Sequence, residues 1–214
     1  FERYGEVFVS LGVSFVPNFV SLYDEGVGDE GLYSELTPPK SSGERWIGVA
    51  PFAKHKGKIY PLDRMEKVVS KLSEESRVKI FLFGSGDRER EILSLWRERY
   101  PGVISLADKR YGFAVELSLM SRLDVMISMD SANMHLASLV EVPVVSVWGA
   151  THPYCGFLGW LQSDSGVVEL PLDCRPCSVF GNKPCYRKDY ACLEIAPETI
   201  VDRVKSLETL IKEK

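Results

Sequence analysis

Strand-like and helix-like segments alternate five times between residues 46 and 148. The helical segments repeat apolar residues at helical spacing, as at Leu62, Met65, Val68, Val69 and Leu72. Short apolar runs separate them, at residues 46–50, 78–83, 103–106, 125–129 and 142–148. This alternation is typical of a parallel sheet with crossover helices on both faces. The sequence therefore predicts an α/β fold in which every loop that follows a strand lies at one edge of the sheet.

Two other regions complete the chain. Residues 1–45 contain a short amphipathic helix that ends near Gly12, and the later stretch 24–45, rich in glycine, proline and charge, is interpreted as a linker or an exposed crossover. The first residue is Phe1 and not Met, so we expect that part of the protein precedes this chain. Residues 46–214 are interpreted as one domain, with a cysteine-containing loop at 154–196 and a helix from Pro197 to Lys214.

Composition excludes some classes of protein. A net charge of -4 and a pI near 5.5 argue against a protein that coats nucleic acid. No apolar stretch approaches the roughly 20 residues that span a bilayer, and the start of the chain lacks the basic-then-apolar pattern of a signal peptide. We expect a cytoplasmic protein with at most peripheral membrane contact.

The apolar run at 125–129 ends in Asp130-Ser131 and continues as a helical pattern that contains His135. The side chain of Ser131 is expected to cap this helix, leaving first-turn N–H groups that attract an anion together with the helix dipole. His135 lies four residues later on the same face and is placed to donate to that anion. The alternative is an ordinary helix cap followed by a core histidine. A serine hydrolase is disfavoured because the chain lacks a G-x-S-x-G turn here.

Two further loops follow strands at the same predicted edge. Residues 54–58, Lys-His-Lys-Gly-Lys, place four donor side chains and a glycine where they can neutralise a diphosphate. The alternative is a solvated basic loop. Residues 84–87, Gly-Ser-Gly-Asp, carry less weight, because they lack a complete dinucleotide or P-loop motif.

The cysteines leave three readings open. Cys174 and Cys177 form a C-x2-C pair, and Cys185 and Cys192 follow within the same loop. One interpretation is that these four thiols hold a structural zinc ion. The alternatives are disulfides and free buried thiols. A thioredoxin-like redox role is disfavoured, since the C-x2-C pair does not open a βαβ unit.

Several of these segments together resemble one known family. They are Lys58-Ile59-Tyr60-Pro61, Phe83-Gly84-Ser85-Gly86, Asp130-Ser131-Ala132-Asn133-Met134-His135-Leu136-Ala137, Pro143 to Trp148, Gly149-Ala150-Thr151-His152-Pro153 and Cys174-Arg175-Pro176-Cys177. In this order they resemble the C-terminal half of family 9 glycosyltransferases, the heptosyltransferases of the bacterial lipopolysaccharide core. The resemblance implies the Rossmann-like, nucleotide-sugar-binding domain of a two-domain GT-B enzyme, with residues 1–45 as the connecting helix and linker from its N-terminal domain.

The resemblance also implies roles for individual residues. Lys58 and His135 are expected to stabilise the donor diphosphate, with Asp130 bracing the turn. The full predicted donor-binding set is Lys58, Ser85, Gly86, Asp130, Ser131, Ala132, Asn133, His135, Gly149 and Thr151. Ala132 stands where the family usually has glycine. The general base is expected in the N-terminal domain, so no catalytic base is assigned to this chain.

The implied function is an inverting, metal-independent transfer of a sugar from a nucleotide-diphosphate sugar, ADP-heptose being favoured, to a lipid-linked glycan at the inner membrane. No cofactor is expected for transfer, and the isolated chain is expected to be inactive. Two alternatives remain: a nucleotide-sugar epimerase of similar architecture, and a fragment that binds nucleotide without turnover.

Overall fold

The computed structural model describes residues 2–212, so that Phe1, Glu213 and Lys214 lie outside the described residues. The last two belong to the predicted final helix, which the structure describes as far as Lys212. The strands are β1 (Arg45–Ala50), β2 (Val78–Leu82), β3 (Val103–Ser105), β4 (Val125–Met129), β5 (Val144–Trp148) and β6 (Val167–Glu169). The helices are α1 (Glu2–Ser10), α2 (Leu62–Ser73), α3 (Asp87–Arg99), α4 (Phe113–Met120), α5 (Ala132–Leu139) and α6 (Pro197–Lys212).

The six strands form one parallel sheet in the order β3-β2-β1-β4-β5-β6. The chain builds outward from β1 in one direction and then crosses to β4 and builds in the other. The strand order therefore reverses between β1 and β4. Open α/β sheets bind ligands in the crevice at the carboxyl ends of two such strands.

Helices cover both faces of the sheet, as the sequence predicts. Ile47 and Val49 of β1 face a core formed with α2, α3 and α6. Trp46 and Ala50, on the opposite face of the same strand, pack with α4 and α5. Four apolar residues of α2, Met65, Val68, Val69 and Leu72, recur at helical spacing and are fully buried, while Leu62 at the start of the helix is partly buried. The regular pattern and the observed burial therefore agree. The predicted α/β, Rossmann-like fold is confirmed.

Two segments differ from the sequence-based expectation. Strand β6 lies in the region 154–196, where no periodicity is visible, because a strand of three residues is too short to show alternation. Residues 24–45 are partly buried against the domain and are not simply an exposed connection. Tyr33 is fully buried, and its ring lies 6.1 Å from that of Trp46, so this segment covers part of the α4 face.

The apolar residues of the N-terminal segment are mostly exposed on the described part of the chain. Tyr4 and Leu11 are each 73% exposed, and Val7 and Phe8 of α1 are about half exposed. Within residues 2–212, no helix combines the length and the apolar character needed to cross a bilayer.

Candidate functional site

A cavity of about 740 Å³ opens at the carboxyl ends of β1 and β4, where the strand order reverses. The β1–α2 loop forms one wall, and the turn from β4 into α5 forms the other. Of the predicted residues, Lys58, Ser85, Asp130, Ser131, Ala132, Asn133 and His135 all line this cavity. The parallel register of β1 and β4 brings together residues that lie more than 70 positions apart in sequence.

Lys58 and Asp130 form an ion pair across the crevice. Lys58 Nζ lies 2.8 Å from Asp130 Oδ2, and their side chains are 13% and 4% exposed. The Thr151 hydroxyl donates to the same carboxylate oxygen over 2.7 Å. Asp130 therefore fixes the ammonium group of Lys58 at the mouth of the cavity, within reach of an anionic ligand.

Helix α5 begins at the cavity without a side-chain cap. Ser131 is extended, with φ -148° and ψ 175°, and its hydroxyl caps no N–H group of the helix. Instead it lies 3.3 Å from the Ser128 hydroxyl. The prediction that the Ser131 side chain caps the helix is therefore wrong, because β4 offers a competing hydroxyl partner. The N–H groups of the first turn remain available to an anion.

His135 lies one turn into α5 and is half-buried in the cavity wall. Burial lowers its pKa, and the nearby Lys58 lowers it further, while Asp130 acts in the opposite direction. The imidazole is therefore neutral at pH 7 and offers one N–H donor.

Three predicted residues do not line the cavity. Gly86 follows Ser85 in the chain, while Thr151 lies behind Asp130, to which its hydroxyl donates, and Gly149 lies two residues before Thr151. A Cβ at Gly149 would meet the Gly57 carbonyl oxygen at 2.3 Å, and Ala150 N–H donates to that same oxygen over 2.8 Å. Gly149 thus allows the β5 loop to pack against the loop that carries Lys58.

Most of the remaining lining is apolar and was not predicted, although Lys54, His55 and Glu89 also line the cavity, the first two from the predicted basic loop. The apolar lining of the cavity includes Phe83, Leu106, Phe113, Leu136, Phe157 and Phe180. Glu116 also lines it, and burial raises the pKa of its carboxyl group. Phe157 and Phe180 belong to the irregular region 154–196, where spacing gives no sign of which side chains meet the strands.

Arg175 holds that irregular region against the sheet edge. Its side chain is 2% exposed and pairs with Glu169 over 2.7 Å. It also donates to the carbonyl oxygens of Gly149 at 2.6 Å, Leu170 at 2.7 Å and Thr151 at 2.9 Å. A single guanidinium therefore connects β6, the β5 loop and the loop that precedes Cys177.

The structure does not support the predicted zinc site at Cys174, Cys177, Cys185 and Cys192. All five cysteines are free, which also removes the disulfide alternative. Among residues 2–212, no group of three or more His, Cys, Asp or Glu side chains is arranged to hold a metal ion. Burial raises the pKa of Cys192 to about 11, and also raises that of Cys177. Burial thus favours the protonated thiol at both positions.

Comparison with known proteins finds one family, both by a family sequence model and by curated relatives. The sequence model of glycosyltransferase family 9 (heptosyltransferase) matches residues 29–185. A curated relative, lipooligosaccharide heptosyltransferase 2 of Campylobacter jejuni, is 25% identical over 172 residues, which is 78% of this chain and 53% of that protein. The chain spans about half the length of the curated relatives it matches.

Two solved structures share the fold. A glycosyltransferase family 9 protein from Veillonella parvula aligns with a TM-score of 0.74 at 17% identity, over 98% of this chain and 59% of that one. An E. coli heptosyltransferase with ADP-2-deoxy-2-fluoro heptose aligns with a TM-score of 0.62 at 19% identity, over 96% of this chain and 55% of that one.

Proposed function

This chain belongs to glycosyltransferase family 9, the heptosyltransferase family, and from that premise we propose that it is the donor-binding half of an enzyme that transfers heptose from ADP-heptose to a lipid-linked glycan. One observation carries the proposal. At the point where the strand order reverses, Lys58, His135 and the uncapped start of α5 converge on one side of a cavity whose other side is largely aromatic and aliphatic. A diphosphate fits the first side, and a nucleoside fits the second.

The same groups suit the chemistry of the leaving group. In a single displacement, the acceptor hydroxyl oxygen bonds to the anomeric carbon and the bond from that carbon to the diphosphate oxygen breaks. The acceptor proton passes to a base, which we place outside this chain, and the configuration at the carbon inverts. Negative charge develops on the leaving diphosphate, where Lys58, the His135 N–H and the first-turn N–H groups of α5 would stabilise it. These fixed charges and dipoles support a transfer that needs no divalent ion or other cofactor.

The donor and acceptor are inferred from the relatives. The E. coli heptosyltransferase was solved with an ADP-heptose analogue, and the Campylobacter relative is named for lipooligosaccharide. We therefore propose ADP-heptose as donor and a lipid-linked core glycan as acceptor, with the protein in the cytoplasm or at the inner membrane surface. The reported relatives are heptosyltransferases, and none supports the epimerase alternative.

Calorimetry with ADP, UDP and GDP tests the nucleotide site on this chain. We expect ADP to bind at micromolar to millimolar concentration, the other two more weakly, and Lys58→Met to weaken ADP binding. Lys183→Met, at an exposed lysine outside the cavity, is the matched control. Failure of all three nucleotides to bind, with the chain folded by circular dichroism, would contradict the proposal. Tighter binding of UDP or GDP than of ADP would contradict the assigned donor.

A further inference from the structure

Three carboxyl side chains line the cavity at the carboxyl ends of β1 and β4: Glu89, Glu116 and Asp130. Two of them already have partners. Asp130 is paired with Lys58 over 2.8 Å, and Glu89 accepts the backbone N–H of Ser85 over 2.8 Å. Within the part of the chain that the structure describes, no group donates to the carboxyl group of Glu116 or forms an ion pair with it. Of the three, Glu116 is therefore left to contact a ligand.

The surroundings of Glu116 are apolar. It lies in the first turn of α4 and shares the cavity lining with Phe83, Leu106 and Phe113. Burial raises the pKa of its carboxyl group, because a carboxylate is poorly solvated at this position. A ligand that donates an N–H to this group would offset the lost solvation.

The position of Glu116 separates it from the groups that we assign to the diphosphate. Those groups follow β1 and β4, whereas Glu116 belongs to the helix that follows β3, and Phe83 follows β2. Neighbouring strands lie about 4.8 Å apart, so the end of β3 lies two spacings, about 10 Å, from that of β1. A nucleotide with its phosphates at Lys58 and the start of α5 can therefore extend its base across the ends of β2 and β3 toward α4.

The charge of Glu116 indicates which part of a nucleotide it can contact. A carboxylate repels phosphate groups and accepts hydrogen bonds from N–H groups. Adenine presents an exocyclic amine that donates, whereas the exocyclic groups of uracil are carbonyl oxygens that only accept. An adenine base therefore suits this wall of the cavity better than a uracil base does.

We propose that Glu116 is a specificity-determining residue whose carboxylate accepts a hydrogen bond from the exocyclic amine of the donor's adenine base. The inference rests on the proposed function, because it assigns one contact within the donor site. Phe83 and Leu106 provide the apolar surface on which the base rests, and Glu116 reads its edge.

Calorimetry with ADP and purine riboside 5′-diphosphate tests this contact. The second nucleotide carries hydrogen in place of the exocyclic amine and is otherwise identical to ADP. We expect the natural chain to bind ADP about 10-fold or more tightly than this analogue, the scale of one hydrogen bond to a charged group. In Glu116→Leu, the affinity for ADP should fall to that for the analogue.

Two further variants complete the comparison. In Glu116→Gln, which keeps the shape of the side chain, the preference for ADP should be reduced, because a neutral oxygen is the weaker acceptor. Glu91→Gln, at an exposed glutamate of α3 that does not line the cavity, is the matched control and should change neither affinity.

The outcomes distinguish a base contact from a structural role and from failure of the donor site. A preference for ADP that is lost in Glu116→Leu supports the contact. Equal affinity of the natural chain for the two nucleotides overturns it and leaves the donor site intact. So does a preference that is unchanged in both Glu116 variants, even where both nucleotides bind more weakly, because a structural role would weaken them alike. Failure of both nucleotides to bind the folded natural chain overturns this inference together with the donor site.

Discussion

Replacing Lys58 with methionine separates two effects of its ammonium group. In the folded chain this group is the ionic partner of Asp130, whose carboxylate is 4% exposed. Removing one member of a buried pair costs about 3–5 kcal/mol. Because the Thr151 hydroxyl still donates to the carboxylate over 2.7 Å, we expect a smaller loss of stability than this, about 2–3 kcal/mol. For a chain of this size that corresponds to a fall in Tm of about 4–12 °C.

The same replacement would remove the charge-assisted hydrogen bond that we propose between Lys58 and the nucleotide diphosphate. Such a bond contributes about 1.5–3 kcal/mol, so ADP affinity should fall by about 10- to 100-fold. The double variant Lys58→Met/Asp130→Asn has no unpaired buried charge. It should therefore regain stability to within about 1 kcal/mol of the natural chain, yet keep the weak ADP affinity.

Four proteins make up this double-mutant cycle: the natural chain, Lys58→Met, Asp130→Asn and the double variant. Urea denaturation measures their stability, and calorimetry measures their affinity for ADP. Lys183→Met is the matched control and should change neither quantity. Two results would refute the reasoning. One is ADP affinity unaffected by Lys58→Met. The other is a double variant as unstable as the sum of the two single variants, which would mean that Lys58 and Asp130 do not interact.

Further predictions concern His135 and Arg175. His135→Ala in the intact enzyme should lower kcat by about 100-fold, the scale of one lost donor to the developing charge, and unchanged steady-state kinetics would exclude the assigned role. Burial lowers the pKa of His135 in the folded state, so the unfolded chain binds the proton first and stability falls as the pH drops through about 6.5. His135→Gln should lose less stability than the natural chain between about pH 7.5 and 5.5 in urea denaturation; equal losses would contradict this account. Arg175→Lys should destabilise the fold by about 3 kcal/mol, because an ammonium group cannot replace the fork of donors. Arg187→Lys, at an exposed ion pair, should change stability far less, and equal costs would show that the Arg175 contacts do not hold the loop.

The sequence predicts those parts of the fold whose residues repeat at a regular spacing. The β-α alternation predicts the parallel sheet, and the polar clusters after β1 and β4 predict which edge carries the cavity. The spacing of residues does not predict how segments without regular secondary structure are arranged. Arg175 is held by carbonyl oxygens, and Phe157 and Phe180 reach the cavity from a region without periodicity.

Two predictions failed for local reasons that a one-dimensional pattern does not contain. Ser131 is a residue type that often caps helices, but its hydroxyl lies beside that of Ser128 instead. The cysteines have a spacing that allows zinc, but among residues 2–212 no group of three or more His, Cys, Asp or Glu side chains is arranged to hold a metal ion. In both cases the decisive information is the three-dimensional neighbourhood of the side chain.

The pairing of Lys58 with Asp130 gives the ammonium group an internal counterion. A bound phosphate would have to compete with that carboxylate for the ammonium group. We expect a lone inorganic phosphate to gain little from the exchange, whereas a ligand that also contacts the start of α5 and the aromatic wall would offset the cost. The site is therefore expected to discriminate against small anions such as inorganic phosphate.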